Sequence, residues 1–160
     1  MKRKKKINWQ NGDVFLITLN NGNSAVGQTL DLMMPNIVRI AIFVDVIKAD
    51  SGTHISLDTL HLDKSNAISL VACTREQLDY GVWKIIGNSK IKIGVNDFPN
   101  ENFRAQDWVG AGMYDASVIE SFVNAYNALT PWDDWHKPDV LDALLIDKAK
   151  KPDNLIYVKK

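Results

Sequence analysis

The stretch that decides the fold is 12-GDVFLITLNNGNSAVGQTL-30. Its first half is rich in β-branched and aromatic residues and meets the turn signal Asn20-Asn21-Gly22-Asn23 before a second apolar run begins. Asn and Gly accept the backbone conformations that tight hairpin turns require. A glycine such as Gly27 is tolerated in a strand where the chain bends or packs closely. The stretch therefore predicts a β-hairpin that begins an antiparallel sheet.

The predicted sheet continues beyond the hairpin. From Ile37 to Ile47 the even positions are all β-branched, whereas Arg39 and Asp45 stand at odd positions. This period of two predicts a long strand with one buried face. Further strands are expected at 67–72, 82–87 and 90–95.

Two short features connect these strands. Residues 50–66 are polar and irregular, which is typical of a loop with one helical turn. Thr74 and Gln77 have the spacing of a capping box, so a short helix is predicted to reach Tyr80 and to end at Gly81.

The pattern changes from strand to helix after Asp97. Apolar residues at helical spacing behind Asp115 predict an amphipathic helix of about four turns that packs on the sheet and ends at Pro131. Pro138 suits the first position of another helix, which would direct its apolar residues inward.

Together these elements predict an α+β fold in a single domain over 1–160. We expect a strongly bent, partly barrel-like antiparallel sheet in the N-terminal two-thirds, covered by C-terminal helices. Residues 1–8 are expected to form a flexible basic tail.

Composition and targeting signals set the compartment. The hydrophobic fraction of 46% and the charged fraction of 24% are those of an ordinary globular domain. The basic run Lys2–Lys6 is not followed by an apolar segment, so no signal peptide is expected. The longest apolar run, 37–47, carries charges and is too short for a membrane span. The lone Cys73 lies among apolar residues, which favours a buried thiol and a reducing compartment. We therefore expect a cytoplasmic protein with no membrane partner.

The Gly12–Leu30 stretch also resembles the opening of the immunity protein 26 family of bacterial polymorphic toxin and contact-dependent inhibition systems. Val82-Trp83-Lys84-Ile85-Ile86-Gly87-Asn88 is similar to a later Trp-containing strand of that family. The resemblance covers 10–145 and leaves out both basic ends of the chain. It implies an immunity protein, or antitoxin, that binds and neutralises the C-terminal domain of one cognate toxin. It transfers no catalytic residue, so no enzyme activity is expected.

The formal net charge of zero conceals a segregation along the chain. Residues 97–147 contain two basic and ten acidic residues, which gives 2 − 10 = −8. A concentrated acidic surface would steer a basic partner, such as a nuclease toxin, by mimicking phosphate charge. The alternative is a solvated helix face with acids near helix starts, where the helix dipole favours them.

The loop between the two predicted C-terminal helices is the best candidate for toxin binding. It places Trp132, Asp133, Asp134 and Trp135 together, and Trp is the residue most enriched among interface hot spots. Candidates for the same surface also lie on both sides of it: Asp107, Trp108, Asp139 and Asp142. The alternative is that both indoles close the core while Asp133 or Asp134 caps the next helix.

Other chemistry has weaker support. Asp58 and His61 offer one i, i+3 pair, with His54 nearby, whereas a metal site needs three or four convergent ligands. No metal, cofactor or catalytic residue is therefore expected, and a small hydrolase that uses this loop is the less favoured alternative. A nucleic-acid-binding module that uses Lys2–Lys6 is the other, although an aromatic-interleaved basic face is missing. The toxin's identity, the oligomeric state and the role of the basic run stay open.

Overall fold

The computed structural model of the chain describes residues 5–49 and 55–158. Over these ranges five strands form one antiparallel sheet. In chain order they are β1 (Asp13–Thr18), β2 (Ser24–Met34), β3 (Ile37–Ile47), β4 (Ala67–Thr74) and β5 (Lys84–Asn88). The α-helices of the same ranges are α1 (Glu76–Asp79) and α2 (Ala116–Tyr126). Short 3-10 helices lie at Leu57–Thr59, Lys64–Asn66, Val95–Asp97, Glu101–Gln106, Leu141–Leu144 and Lys148–Lys150.

The hairpin that the sequence predicts is confirmed as β1 and β2. Their pairing closes with Thr18 opposite Ser24. Gly22 in the turn has a φ of +88°, which glycine adopts at little cost. A Cβ on Gly27 would lie only 2.4 Å from the ring of Phe15. Gly27 therefore makes room for that ring, as expected for a glycine at a point of close packing.

The strand order is β4-β3-β2-β1-β5, so the sheet is open and the predicted barrel-like closure is wrong. The outer edge of β4 explains why. The backbone N–H of Tyr114 donates to Ala72 O at 2.9 Å, and that of Ile146 donates to Ile68 O at 2.8 Å. Because C-terminal loops occupy this edge, β4 does not pair with β5.

The predicted long strand is confirmed as β3, but its expected single buried face is wrong. Over Ile37–Phe43 both faces are buried. Val38, Ile40 and Ile42 belong to a hydrophobic cluster shared with α2, whereas Ala41 and Phe43 belong to a second cluster on the other face. Two cores, one on each face of the sheet, therefore replace the alternation that a half-buried strand would show.

The strand predicted at 67–72 is confirmed as β4, and the one at 82–87 is confirmed from Lys84 onward as β5. The strand predicted at 90–95 is wrong: Ile91 and Ile93 pack into the second cluster without strand pairing. The described part of the 50–66 loop contains two 3-10 turns instead of one.

The short helix predicted after Thr74 is confirmed as α1, but its capping box is not formed. Arg75 occupies the N-cap position of α1. The Thr74 hydroxyl instead donates to a carboxylate oxygen of Glu76 at 2.9 Å and accepts from the backbone N–H of Ala116 at 2.9 Å. Thr74 therefore joins the end of β4 to the start of α2.

The predicted Asp115 cap of α2 is confirmed. Its Oδ1 accepts from the backbone N–H of Ser117 at 2.9 Å, and this bond lowers the pKa of Asp115. The helix ends at Tyr126, about three turns from its start, so the predicted length is too great.

The helix predicted to begin at Pro138 is wrong. Only the 3-10 helix Leu141–Leu144 forms there, with Leu141 and Leu144 buried. In a 3-10 helix residues three apart lie on one side, so a single turn is enough to bury both leucines.

Of the predicted basic tail, residues 1–4 lie outside the described ranges. Within those ranges no helix has the length and apolar character needed to cross a membrane.

Candidate protein-binding surface

Trp132 belongs to the core. Its side chain has no exposed area and packs against Phe122, with 5.7 Å between ring centroids. The indole Nε1–H donates to Asp142 Oδ1 at 2.9 Å, which satisfies the only polar group of the buried ring. Trp132 therefore holds the loop in place and is not accessible to a partner.

Asp133 is also buried and joins the loop to the C-terminal segment. Its Oδ1 accepts from the backbone N–H of Val158 at 2.6 Å. The backbone N–H of Trp132 donates to Ile156 O at 2.8 Å beside a parallel bridge between Pro131 and Ile156. The loop and the C-terminal segment therefore form one local unit.

Within 132–135, the accessible residues are Asp134 and Trp135. Asp134 is exposed, whereas Trp135 is half-buried and packs against the cluster shared with α2. Together they line a cleft of about 330 Å³ whose other walls are Asn20, Glu120, Ser121, Asn124, Thr130 and Pro131. The cleft thus carries two carboxylates, those of Asp134 and Glu120.

The far wall of this cleft is held by Asn124. Its Oδ1 accepts from the backbone N–H of Asn20 at 2.8 Å, and its Nδ2 donates to Glu120 O at 2.9 Å. The Glu120 carboxylate accepts from Gln77 Nε2 at 3.0 Å. The hairpin turn, α1 and α2 therefore all position groups around the cleft.

Asp142 is engaged within the protein. Its Oδ1 lies 2.8 Å from Lys151 Nζ and also accepts from Trp132. Burial alone would raise the pKa of Asp142, but the hydrogen bonds from Lys151 and Trp132 lower it. Asp139, by contrast, is exposed on the same loop.

The C-terminal segment adds an apolar strip that the site prediction missed. Ile156, Tyr157 and Val158 are between 43% and 55% exposed, beside the loop to which Ile156 and Val158 are hydrogen-bonded. We call Asp134, Trp135, Ile156, Tyr157 and Val158 the loop–tail surface. The run of apolar residues 155–158 was the sequence signal for it.

Asp107 and Trp108 do not extend this surface. Trp108 packs against the cluster of Met33, Ile37 and Ala72, and Ile37 lies on the odd-numbered face of β3. The loop–tail surface lies on the other side, since Trp132 and Trp135 pack with the cluster that contains Val38 and Ile40. The sheet therefore separates the two tryptophan sites.

Trp108 instead covers a buried charge network that the sequence did not reveal. Arg39 has no exposed area and donates to both carboxylate oxygens of Asp31, at 2.8 and 2.7 Å. Its Nη1 lies 2.8 Å from Glu101 Oε2, and its guanidinium lies 5.2 Å from the centre of the Trp108 ring. Arg104 also pairs with Glu101 and lowers the pKa of that carboxyl. This network fastens 99–108 to the sheet.

The remaining candidates do not converge on a centre. Asp58 and His61 are both exposed, and His54 lies outside the described residues. Within 5–49 and 55–158, no three metal-binding side chains are grouped to hold an ion. Cys73 is buried, as predicted, and desolvation raises the pKa of its thiol.

The chain matches no protein-family model, no curated protein and no solved structure.

Proposed function

We propose that this chain is a bacterial immunity protein that binds one cognate toxin domain and occludes its active site or substrate surface. The protein would act in the cytoplasm by binding and not by catalysis. The observation that carries the proposal is the loop–tail surface, an apolar strip with acidic residues beside it.

The composition of this surface supports binding to a protein. Interfaces typically have an apolar or aromatic centre and a polar rim. Trp135 and Tyr157 are the aromatic side chains of the surface, and Ile156 and Val158 extend it. A protein partner would gain from covering these side chains, because the backbone of Ile156 and Val158 is already held by hydrogen bonds to the loop.

The charge of this surface supports a basic partner. Asp134 and Asp139 are exposed, and neither forms an ion pair with another residue of the described ranges. Several other acids of 97–147 are engaged internally: Asp97, Glu101, Asp115, Asp133, Asp142 and Asp147. The number of acidic side chains of 97–147 that can attract a partner is therefore smaller than the count from the sequence. A toxin with a basic active site, such as a nuclease, is the partner that it favours.

The sequence resemblance supports the proposal independently. The segments that carry it are Gly12–Leu30, which forms β1 and most of β2, and Val82–Asn88, which ends in β5. These segments lie side by side, since β1 pairs with both β2 and β5. The resemblance therefore concerns one contiguous part of the sheet.

The first test is affinity capture of the tagged chain from its bacterial host, followed by mass spectrometry of the proteins retained through a moderate-salt wash. We expect the C-terminal fragment of a large secreted protein in about equal amount to the chain. The captured domain should be toxic when expressed alone and harmless when expressed together with the chain. Failure of the chain to suppress the toxicity of a captured domain would contradict the proposal.

The second test locates the interface with the recombinant pair. Trp135→Ala combined with Tyr157→Ala should weaken binding by at least about tenfold, because both aromatic contacts are lost. Val109→Ala combined with Met113→Ala is the matched control, since both are exposed apolar residues outside the loop–tail surface. Equal affinity of the double variant and the control would remove the loop–tail surface from the interface without removing the immunity role.

A further inference from the structure

The N-terminal segment is fastened to α1 at a buried carboxylate. The Trp9 Nε1–H donates to Asp79 Oδ1 at 2.8 Å, and Arg75 Nε donates to both oxygens of the same carboxylate at 3.0 and 3.1 Å. The Arg75 guanidinium also lies 5.0 Å from the centre of the Trp9 ring. The backbone N–H of Ile7 donates to Asp79 O at 2.7 Å. Ile7 and Trp9 are therefore held against α1.

This attachment assembles an apolar patch. Ile7 Cδ1 lies 2.9 Å from the position that a Cβ on Gly81 would take, so the Ile7 side chain rests on Gly81. The residues on either side of Gly81 are Tyr80 and Val82. Ile7, Tyr80 and Val82 are 44%, 40% and 50% exposed.

Basic side chains border the same patch. Lys5 and Lys6 directly precede Ile7, and Lys84 follows Val82 by two residues; all three are exposed. The sequence continues this positive charge with Lys2-Arg3-Lys4. Of the two acidic residues on α1, Asp79 is buried in its bonds to Trp9 and Arg75, which leaves the exposed Glu76 as the one negative charge of α1 set against Lys5, Lys6 and Lys84. Positive charge therefore predominates around the patch.

We propose that this patch, comprising Ile7, Tyr80 and Val82 with Lys5, Lys6 and Lys84, binds the surface of an anionic lipid bilayer. Apolar side chains enter the headgroup region, and clustered lysines are attracted by anionic lipids. The apolar residues and the lysines act together, because each contribution alone gives only weak, reversible attachment. This inference is separate from the proposed toxin-binding function and uses none of the loop–tail surface.

The side chains favour lipid over nucleic acid. A single-stranded nucleic acid is bound by lysines together with aromatic faces on which bases stack. The Trp9 ring is already covered by Arg75, which leaves Tyr80 as the aromatic ring of the patch. Ile7 and Val82 gain nothing from contact with phosphates, whereas both gain from entry into a bilayer interface.

The sequence predicted no membrane partner because it contains no apolar run of spanning length. A peripheral patch needs no apolar run of spanning length. Ile7 is 73 residues from Tyr80, so only the fold brings these side chains together.

The test is co-sedimentation of the full chain with phosphatidylcholine vesicles and with vesicles that also contain phosphatidylglycerol. We expect binding to the anionic vesicles alone, and weaker binding as salt rises. Ile7→Ser combined with Val82→Ser should lose at least about tenfold in vesicle affinity. Lys5→Glu combined with Lys6→Glu, which changes only exposed side chains, should lose as much. Val109→Ser is the matched control, since Val109 is 70% exposed and lies outside the patch.

Several outcomes would overturn the inference. The chain could fail to bind anionic vesicles, or the Val109→Ser control could lose as much vesicle affinity as the patch variants. The lysine variants could also weaken binding while Ile7→Ser and Val82→Ser leave it unchanged. Equal or tighter binding to single-stranded DNA, lost only in the lysine variants, would assign the patch to nucleic acid. A dimer in solution that Val82→Ser dissociates would assign it to a second copy of the chain. The melting temperature of each variant checks that the change in binding does not come from unfolding.

Discussion

Phe15 of β1 and Trp83, just before β5, stack face to face with 5.3 Å between ring centroids and 5° between ring planes. Both side chains are fully buried in the cluster that also contains α2. The Phe15 ring also lies over the backbone of Gly27 in β2, the strand that pairs with β1 on the side opposite β5. This contact therefore connects β2 and β1 to the start of the edge strand β5.

Gly27→Ala is predicted to destabilise the fold by about 1–3 kcal/mol, because the new methyl group would collide with the Phe15 ring. Urea unfolding monitored by tryptophan fluorescence measures the loss. Gly112→Ala is the matched control, since a Cβ there has no atom within 4 Å, and it should stay within about 0.5 kcal/mol of the parent. Equal stability of the two variants would show that Phe15 moves aside without cost.

The hairpin, the long strand and the Asp115 cap could be predicted because each depends on residues close together in sequence. The burial of Arg39 could not, since it depends on Asp31 in the neighbouring strand and on Glu101, 62 residues further along the chain. The period of two in β3 predicts one buried face that carries the even positions, whereas the structure also buries Arg39 at an odd position.

The accessibility of the candidate site residues could not be predicted from the sequence. The pattern of Trp132 to Trp135 did not show that Trp132 and Asp133 are buried. Trp132 is held inward by its hydrogen bond to Asp142, and Asp133 by its hydrogen bond from Val158. Both partners lie further along the chain, beyond the loop itself. The accessible apolar residues came instead from the C-terminal segment that pairs with the loop.

Arg39→Met is predicted to cost about 1.5–3 kcal/mol, because it removes the bonds that the buried guanidinium makes to the partly exposed carboxylates of Asp31 and Glu101. Lys64→Met is the control, since the Lys64–Asp97 pair is exposed and should contribute less than about 1 kcal/mol. Chemical denaturation of both variants measures the difference. A loss no greater for Arg39→Met than for Lys64→Met would contradict the structural role of the network.

Asp142→Asn is predicted to remove a pH-dependent part of the stability. The folded-state pKa of Asp142 is lowered, so its contribution is present above the pKa of an unfolded aspartate, about 3.9, and is lost as the pH falls through the lower folded value. Asn keeps an oxygen that accepts from Trp132 but cannot form the ion pair with Lys151. Melting temperatures of both proteins from neutral pH downward should therefore converge in acid. A constant gap between them would contradict this origin.

Asp134→Lys is predicted to slow association with the cognate toxin domain by about tenfold at low salt, because the substitution reverses an exposed charge beside the proposed contact. The dissociation rate should change less, since charges at the edge of an interface act mainly on the approach of the partner. Asp58→Lys gives the same change in net charge at an exposed site outside the loop–tail surface. Stopped-flow or surface-based kinetics at two salt concentrations separate a local effect from a net-charge effect. If both variants slow association equally, the attraction comes from the net charge of the whole protein and not from the local charge of Asp134.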